Sequence, residues 1–170
     1  MNVIVVGIAG GSGSGKSTFA DRVRVAIGED ATAILCQDDY YHDLGHLTSA
    51  QRKQVNFDDP QAVDMGHLRD HVVELSKGNC VQAPRYDFAT HTRRKSCRAV
   101  EPRPIVIIEG LLVLANRHVR DACHLRIFVE APADIRYQRR LSRDLSGRGR
   151  DTTSVSRQWR ESVLPMHERH

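Results

Sequence analysis

The sequence lacks any apolar run long enough to cross a membrane. Its longest runs, VIVV near the start and IVIIEGLLVLA in the middle of the chain, fall well short of the ~18 residues that a membrane-spanning helix needs. The first residues, MNVIVVG, have neither the basic start nor the small-residue cleavage site of a signal peptide. These absences predict a cytoplasmic protein with no membrane partner.

Cysteines are few and widely spaced, and none forms a CxxC pair. This usage favours free, reduced thiols in a cytosolic protein. A contact between Cys80 and Cys97 across a hairpin stays open at this stage. The four cysteines are Cys36, Cys80, Cys97 and Cys123.

Internal repeats and low-complexity linkers are also missing. The length of 170 residues suggests one domain, and 40% hydrophobic residues suffice for a core. The net charge of +4 is small for a dedicated nucleic-acid binder but suits a polyphosphate ligand. We therefore expect a small-molecule substrate and no nucleic-acid partner.

Apolar runs that predict buried strands alternate with segments of helical period. This alternation predicts an α/β fold, with a parallel sheet flanked by helices on both sides. Two segments around a polar middle, 81–88 and 95–102, predict a hairpin that projects as an arm. The predicted buried strands are 2–8, 32–36, 104–110 and 123–131, and the predicted helices are 16–27, 60–78, 132–145 and 153–169.

The stretch GIAGGSGSGKST, residues 7–18, fits the pattern G-x-x-x-x-G-K-[ST] of a phosphate-binding loop. A strand precedes it and a helix follows, which argues against a flexible Gly/Ser linker. Glycines let the backbone wrap phosphates, Lys16 supplies a charge, and the Ser17 hydroxyl can bind Mg²⁺. The predicted nucleotide-binding residues of this stretch are Gly10, Gly11, Ser12, Gly13, Ser14, Gly15, Lys16, Ser17 and Thr18.

Acidic residues follow two of the predicted strands. Glu109 ends the run IVIIE, at the strand edge where α/β sheets bind ligands, so it can hold Mg²⁺. Asp38 and Asp39 follow TAILC, and phosphoryl transfer to a hydroxyl needs such a carboxylate to accept the proton. The spacing alone does not choose between the two aspartates, and a helix cap or a turn is the alternative role for them.

Arginines are concentrated between residues 136 and 150. Arg136, Arg140 and Arg143 share one helix face, and Arg148 and Arg150 follow in a glycine-containing loop. Like charges on one face repel each other unless an anion lies against them, which predicts a mobile lid that closes over phosphates. A solvated or RNA-contacting basic face is the alternative. A second basic run, with Arg94, Lys95 and Arg98, is interpreted as a solvated hairpin tip.

Taken together, these blocks resemble the uridine kinase family, within the phosphoribulokinase and uridine kinase-like group of P-loop kinases. The resemblance extends over nearly the whole chain, because further blocks follow the glycine-rich stretch in the family's order. These blocks are QDDYYHDLGHL, NFDDPQAVD, PRYDFATHTR, IVIIEGLLVL, FVEAPADIRYQRRLSRDLSGRGRD and SVSRQWRESVLPMHERH.

The resemblance implies a three-layer P-loop NTPase fold with a β-hairpin arm at about 80–101 and an arginine-rich lid at about 143–152. It implies a single kinase domain over residues 1–170 and assembly into a homo-oligomer, a tetramer. The implied activity is Mg²⁺-dependent transfer of the γ-phosphate of ATP or GTP to the 5′-hydroxyl of uridine or cytidine. The products would be UMP or CMP, as in pyrimidine salvage.

The resemblance also implies roles for individual residues. Asp38 would be the catalytic base, assisted by Lys16 and Arg143, and Ser17, Asp38 and Glu109 would hold Mg²⁺. Arg148 would bind the nucleotide phosphates as part of the lid. The implied nucleoside-binding residues are Tyr41, Asp58, Tyr86, His91, Arg140, Arg150 and Gln158.

Three features depart from the family pattern. Asp39 stands where serine is usual, so a second carboxylate lies beside the base, where it either repels the charge of Asp38 or faces solvent. Trp159 replaces a usual tyrosine. The family's usual C-terminal segment, with a further strand and helix, is expected to be absent from residues 1–170.

Two other functions fit parts of the pattern. A related P-loop kinase could act on another small alcohol, such as a sugar phosphate or pantothenate, but NFDDP and PRYDFATHTR favour a nucleoside. A nucleotide-binding regulator without turnover is the second alternative. The combination of Lys16, Asp38 and Glu109 argues against it, because a protein that only binds needs no proton acceptor.

Overall fold

The computed structural model describes residues 3–52, 54–147 and 150–170. Four strands form a parallel sheet in the order β2-β7-β1-β8, which confirms the predicted α/β class. Four short strands form two separate antiparallel pairs, β3 with β6 and β4 with β5. The strands are β1 Ile4–Ala9, β2 Thr32–Cys36, β3 Val81–Ala83, β4 Tyr86–Asp87, β5 Thr92–Arg93, β6 Arg98–Val100, β7 Ile105–Gly110 and β8 Leu125–Phe128.

Helices connect the strands and cover the sheet. They are α1 Lys16–Ile27, α2 Ser49–Arg52, α3 Met65–Ser76, α4 Arg117–Asp121, α5 Ala133–Gly147, α6 Thr152–Gln158 and α7 Leu164–Arg169. Short 3₁₀ turns lie at Glu29–Ala31, Gln37–Tyr40 and Pro60–Ala62, and a π-helical turn, Trp159–Val163, joins α6 to α7. Among the described residues, no helix combines the length and apolar character that crossing a bilayer would require.

Each face of the sheet has its own apolar core. On one face, Val6, Ile8 and Ile107 pack against Ala20 of α1. On the other face, the core extends from β1, β2 and β7 through α3 and α4 to the short strands of 81–100. Alternate residues of β1 and β7 thus enter opposite cores, as the pleat of a strand buried on both faces requires.

The order of the sheet places ligand-binding residues at one edge. Because all four strands run parallel, their carboxyl ends lie together, and the residues after β1, β2 and β7 meet there. Those residues are the glycine-rich stretch, the 3₁₀ turn Gln37–Tyr40 and the end of β7.

Two sequence-based expectations about burial and boundaries are wrong in detail. β8 is not a buried strand, since it pairs only with β1 among the described residues and leaves Leu125 and Phe128 more than half exposed. The helix predicted over 60–78 is divided, because the Asp64 side chain accepts from His67 N and starts α3 after a separate 3₁₀ turn.

The segment 81–100, called the arm from here on, contains both short antiparallel pairs. The pairing of β3 with β6 places Cys80 beside Glu101, with Sγ 3.5 Å from Oε1, and Ala83 opposite Arg98. Cys80 and Cys97 therefore lie at opposite ends of this pair, and all four cysteines are free. Arg98 is not at a solvated tip, since it donates to the carbonyl of Ile34 at 3.2 Å.

Candidate active site

The glycine-rich stretch forms a tight loop between β1 and α1. Ser14 N donates to Gly11 O at 3.0 Å, and Gly13 and Gly15 have φ values of 81° and 97°. α1 begins at Lys16, so its free N–H groups point toward this loop. The loop also touches α5, because a Cβ on Gly13 would lie 2.2 Å from the carbonyl oxygen of Arg136.

We expect Gly13→Ala to raise the Kd for ATP at least tenfold and to lower the melting temperature. Alanine at this left-handed φ costs roughly 1–2 kcal/mol, and its Cβ also displaces the α5 backbone. Isothermal titration and thermal unfolding measure the two effects. Gly66→Ala is the control, since Gly66 lies in α3 and a Cβ there would meet Asp64 Oδ1 at an ordinary 3.7 Å. Equal ATP affinity in the two variants would contradict this account of the loop.

Glu109 lies at the carboxyl end of β7, close to the loop. Ser17 Oγ donates to its Oε2 at 3.1 Å, and Cys36 Sγ donates to its Oε1 at 3.0 Å. Burial raises the pKa of Glu109, while the Lys16 charge and the Cys36 and Ser17 donors oppose the rise. Burial and the neighbouring carboxylates of Asp38 and Glu109 raise the pKa of Cys36 well above its usual value, so its thiol stays protonated.

These oxygens fit a hard divalent cation. Ser17 and Glu109 supply a hydroxyl and a carboxylate at one point, and Asp38 lies on the adjacent turn. Among the described residues, no three His, Cys, Asp or Glu side chains cluster tightly enough to hold an ion alone. Mg²⁺ commonly binds to one or two protein ligands together with phosphate oxygens and water.

The two neighbouring aspartates have different surroundings. Asp38 lines a cavity together with Lys16 of the phosphate-binding loop. Asp39 points to the arm, where its Oδ1 accepts from Tyr86 N at 3.4 Å, and burial raises its pKa. The structure thus distinguishes two residues that spacing alone could not. Asp39 does not simply face solvent, and after burial the charge of Asp38 also contributes to its raised pKa.

The same cavity brings together most residues that the sequence analysis assigned to catalysis or nucleoside binding. Three apolar residues that sequence reasoning missed, Phe57, Phe88 and Leu111, also line it. Arg148 lies outside the described residues. The predicted site residues on this cavity are Ser12, Lys16, Asp38, Tyr41, Asp58, Tyr86, His91, Arg140, Arg143, Arg150 and Gln158.

Aromatic rings form one end of the cavity. Phe57 stacks on His91 with ring centroids 4.6 Å apart and planes 15° from parallel. Tyr41 packs against Tyr86 at 5.2 Å and donates its hydroxyl to the carbonyl of Phe57 at 2.9 Å. His91 has a φ of 56°, a left-handed conformation that is uncommon outside glycine, and it lines the cavity. The arrangement forms a flat apolar slot with polar groups at its margin.

Asp58 lies at the wall of the cavity and is 5% exposed. Its Oδ2 accepts from Ser162 Oγ at 3.2 Å. Burial raises the pKa of Asp58, while the nearby Arg140 charge and the Ser162 hydroxyl oppose the rise. The Asp58 carboxylate therefore lies between the aromatic rings and the arginines, where its oxygens can accept hydrogen bonds from a ligand.

The arginines of α5 do not act as one row. Arg140 donates to Ser12 Oγ at 2.7 Å and to Gln158 Oε1 at 2.8 Å, and Arg150 also donates to Gln158. Arg136 is separate from them and 4% exposed, because its guanidinium lies over the Trp159 ring and donates to Ala131 O at 3.1 Å. Arg136 does face the phosphate-binding loop, since its guanidinium lies against Gly11, but it does not line the cavity as Arg140 and Arg143 do.

A buried carboxylate that sequence reasoning missed joins these arginines. Asp144 is completely buried and contacts Arg140 at 3.6 Å, Arg143 at 2.9 Å and Arg150 at 3.8 Å. The signal was present in RRLSRD, where an acid stands four residues after Arg140 on the same helix.

Comparison with known proteins agrees with this geometry. Residues 5–169 match the model of the Phosphoribulokinase / Uridine kinase family. A uridine kinase of Clostridium perfringens (strain SM101 / Type A) is 43% identical over 164 residues, which cover 96% of this chain and 79% of that protein. A uridine kinase of Staphylococcus haemolyticus (strain JCSC1435) is 41% identical over 166 residues, or 98% of this chain and 80% of that protein.

Among solved structures, phosphoribulokinase from Rhodobacter spheroides has the same fold. Its TM-score is 0.64 at 14% identity, with 98% of this chain and 67% of that chain covered. At this identity the likeness concerns the fold alone. The family match over nearly all of the sequence and the two relatives above 40% identity establish the family: this chain is a member of the phosphoribulokinase/uridine kinase family.

Proposed function

We propose that this protein is a ribonucleoside kinase that transfers the γ-phosphate of ATP or GTP to the 5′-hydroxyl of uridine or cytidine. The observation that supports this most directly is the shared cavity, which Lys16 and Asp38 line together with Asp58 and His91. Phosphate-binding, proton-accepting and nucleoside-binding groups thus face one space. The relatives above 40% identity are uridine kinases, which agrees with this assignment.

The chemistry follows from the positions of these groups. The loop between β1 and α1 holds the triphosphate through backbone N–H groups, and Lys16 pairs with the outer phosphates. Asp38 accepts the hydrogen bond of the 5′-hydroxyl and takes its proton as the oxygen attacks the γ-phosphorus. The bond from the γ-phosphorus to the bridging oxygen breaks, and that oxygen leaves with the nucleoside diphosphate. Arg143, on the cavity wall, balances negative charge on the transferred group.

Ser17, Asp38 and Glu109 would hold Mg²⁺ when the nucleotide is bound. The ion would neutralise phosphate charge there. Glu109 is suited to the task because its carboxylate is 6% exposed and already shares a hydrogen bond with the Ser17 hydroxyl.

Nucleoside recognition would use the other end of the cavity. Asp58 accepts hydrogen bonds from the two ribose hydroxyls, with Arg140 and Gln158 on the neighbouring wall. The aromatic end of the cavity, lined by Phe57, Tyr86 and His91, offers apolar ring surface to a flat base, and His91 and Tyr86 supply polar atoms for its edge. Such a site favours a pyrimidine over a larger purine.

An assay of ADP release with different acceptors tests the function. We expect uridine or cytidine to raise the rate at least a hundredfold above the rate without acceptor, while adenosine, ribulose 5-phosphate and pantothenate do not. A site that hydrogen-bonds its substrate can reject analogues by up to about 10⁴-fold, so the contrast will be large. Preference for ribulose 5-phosphate or pantothenate would favour a different alcohol kinase, and ATP binding without turnover on any acceptor would favour a regulator.

The proposal includes a cytoplasmic location and assembly into a homo-oligomer, as the family resemblance implies. It treats 1–170 as one kinase domain in which the arm and the segment around 143–152 close over the two substrates. Size-exclusion chromatography coupled to light scattering measures the oligomeric state directly.

A further inference from the structure

Arg93 lies at the junction between the arm and the loop that contains Asp38. β4 and β5 pair so that Tyr86 stands opposite Arg93, and His91 precedes Arg93 by two residues. Both residues proposed to bind the base therefore belong to the two-stranded unit that contains Arg93. The position of this unit sets where a base would lie.

The Arg93 side chain points away from solvent and binds main-chain carbonyls. Its Nε donates to Tyr41 O at 2.8 Å, and its Nη2 donates to Tyr40 O at 3.2 Å and to Asp64 Oδ2 at 3.4 Å. Only 23% of the side chain is exposed. A guanidinium presents its donors in a rigid planar fork, so three acceptors fix its orientation.

Two of these acceptors, the carbonyls of Tyr40 and Tyr41, lie at the end of the turn that contains Asp38, called the catalytic turn from here on. The 3₁₀ turn Gln37–Tyr40 contains Asp38, and its last residue and the next one supply the two carbonyls. Two further bonds join the same parts, from Arg93 N to Asp43 Oδ1 at 3.1 Å and from Tyr86 N to Asp39 Oδ1 at 3.4 Å. The arm is thus bonded at several points to the chain that directly follows Asp38.

The third acceptor connects this junction to the core. Asp64 caps α3 by accepting from His67 N at 3.0 Å, and its own N–H donates to Tyr40 O at 2.9 Å. α3 packs in the main core through Leu68 and Leu75. Arg93 therefore holds the arm in a fixed position relative to α3 as well as to the catalytic turn.

We propose that Arg93 is a positioning residue that sets the distance between the base-binding groups of the arm and the catalytic Asp38. It touches neither substrate but holds the groups that do. Its loss displaces the base relative to the 5′-hydroxyl, so it lowers nucleoside turnover while ATP binding persists. This inference rests on the proposed nucleoside kinase function.

Arg93→Met tests the inference, because methionine keeps an unbranched stem and removes every side-chain donor. We expect kcat/KM for uridine to fall 30- to 100-fold and the Kd for ATP to change less than twofold. Arg94→Met is the matched control. Arg94 follows Arg93 directly, but its side chain is 55% exposed and pairs with Asp87 at 3.7 Å on the surface. The control variant should stay within twofold of the parent for both ligands.

A double-mutant cycle with His91→Ala separates positioning from a general loss of stability. If Arg93 acts through the arm, the double variant will be no more than about threefold worse than the poorer single variant. Multiplicative losses, or equal losses toward uridine and ATP, would overturn the proposal. Arg93→Lys should recover part of the activity, and failure of both Arg93 variants to fold would assign the residue to stability and also overturn it.

Hydrogen exchange distinguishes failure of this inference from failure of the proposed function. In Arg93→Met, the amides of Tyr86, His42 and Asp64 should exchange at least tenfold faster, because their acceptors lie at the junction or next to it. Arg94→Met should leave them unchanged. Hydrogen exchange is measured without a nucleoside, so this test is valid even if the parent protein phosphorylates no nucleoside. Unchanged exchange in Arg93→Met would refute the positioning role.

Discussion

Replacing Asp38 with asparagine is expected to lower kcat with uridine by about 10³-fold while the Kd for ATP changes less than threefold. Asparagine keeps the size of the side chain and its hydrogen-bonding oxygen but cannot accept the proton of the 5′-hydroxyl. General-base catalysis contributes typically 10²–10⁴-fold, and loss of a proposed ligand for the metal adds to the effect. ADP release at saturating substrates measures kcat, and titration with a non-hydrolysable ATP analogue measures binding.

Asp39→Asn is the natural control for this experiment. The two aspartates are adjacent in sequence, yet Asp39 accepts a hydrogen bond from the arm, and an asparagine oxygen can do the same. We expect its kcat to stay within about fivefold of the parent. Equal losses in the two variants would contradict the assignment of the base to Asp38, and so would near-parental turnover in Asp38→Asn.

The sequence predicts those parts of the site that depend on local pattern. α1 spans Lys16–Ile27 and β2 spans Thr32–Cys36, the same bounds that the periodicity predicts, because each is defined by neighbouring residues. The phosphate-binding loop follows from its glycines, two of which adopt positive φ. Glu109 follows from its place at the end of an apolar strand.

Other features depend on contacts between distant segments, which no local pattern encodes. Phe57 reaches the cavity because the chain after the catalytic turn folds back against the arm, where it stacks on His91. A signal existed, since Phe57 directly precedes Asp58 in a chain with only four phenylalanines. The exposure of β8 depends on its place at the edge of the sheet. An apolar run of this kind occurs in edge strands and in central strands, so its composition does not reveal that place.

Asp144 illustrates the same limit with charge. Its sequence neighbours predict only a surface ion pair on a basic helix, and such a pair would contribute little to the free energy of unfolding. In the folded chain α6 lies next to α5, and Arg150, which donates to Gln158 of α6, pairs with the carboxylate. Complete burial turns an ordinary acid of an arginine-rich helix into the common partner of three guanidinium groups.

Asp144→Asn is therefore expected to lower the free energy of unfolding by about 3 kcal/mol and kcat by about 10²-fold. Removing one member of a buried ion pair leaves the other charge uncompensated, and Arg140, at 6% exposure, is the partner most affected. Arg143 and Arg150 are more exposed, so their contribution to stability is smaller, but their orientation toward the cavity depends on the same carboxylate. Urea unfolding and ADP release measure the two effects, with Asp134→Asn on the exposed face of α5 as the control. Because all three arginines converge on one buried carboxylate, parental stability and turnover in Asp144→Asn would mean that their arrangement does not depend on it.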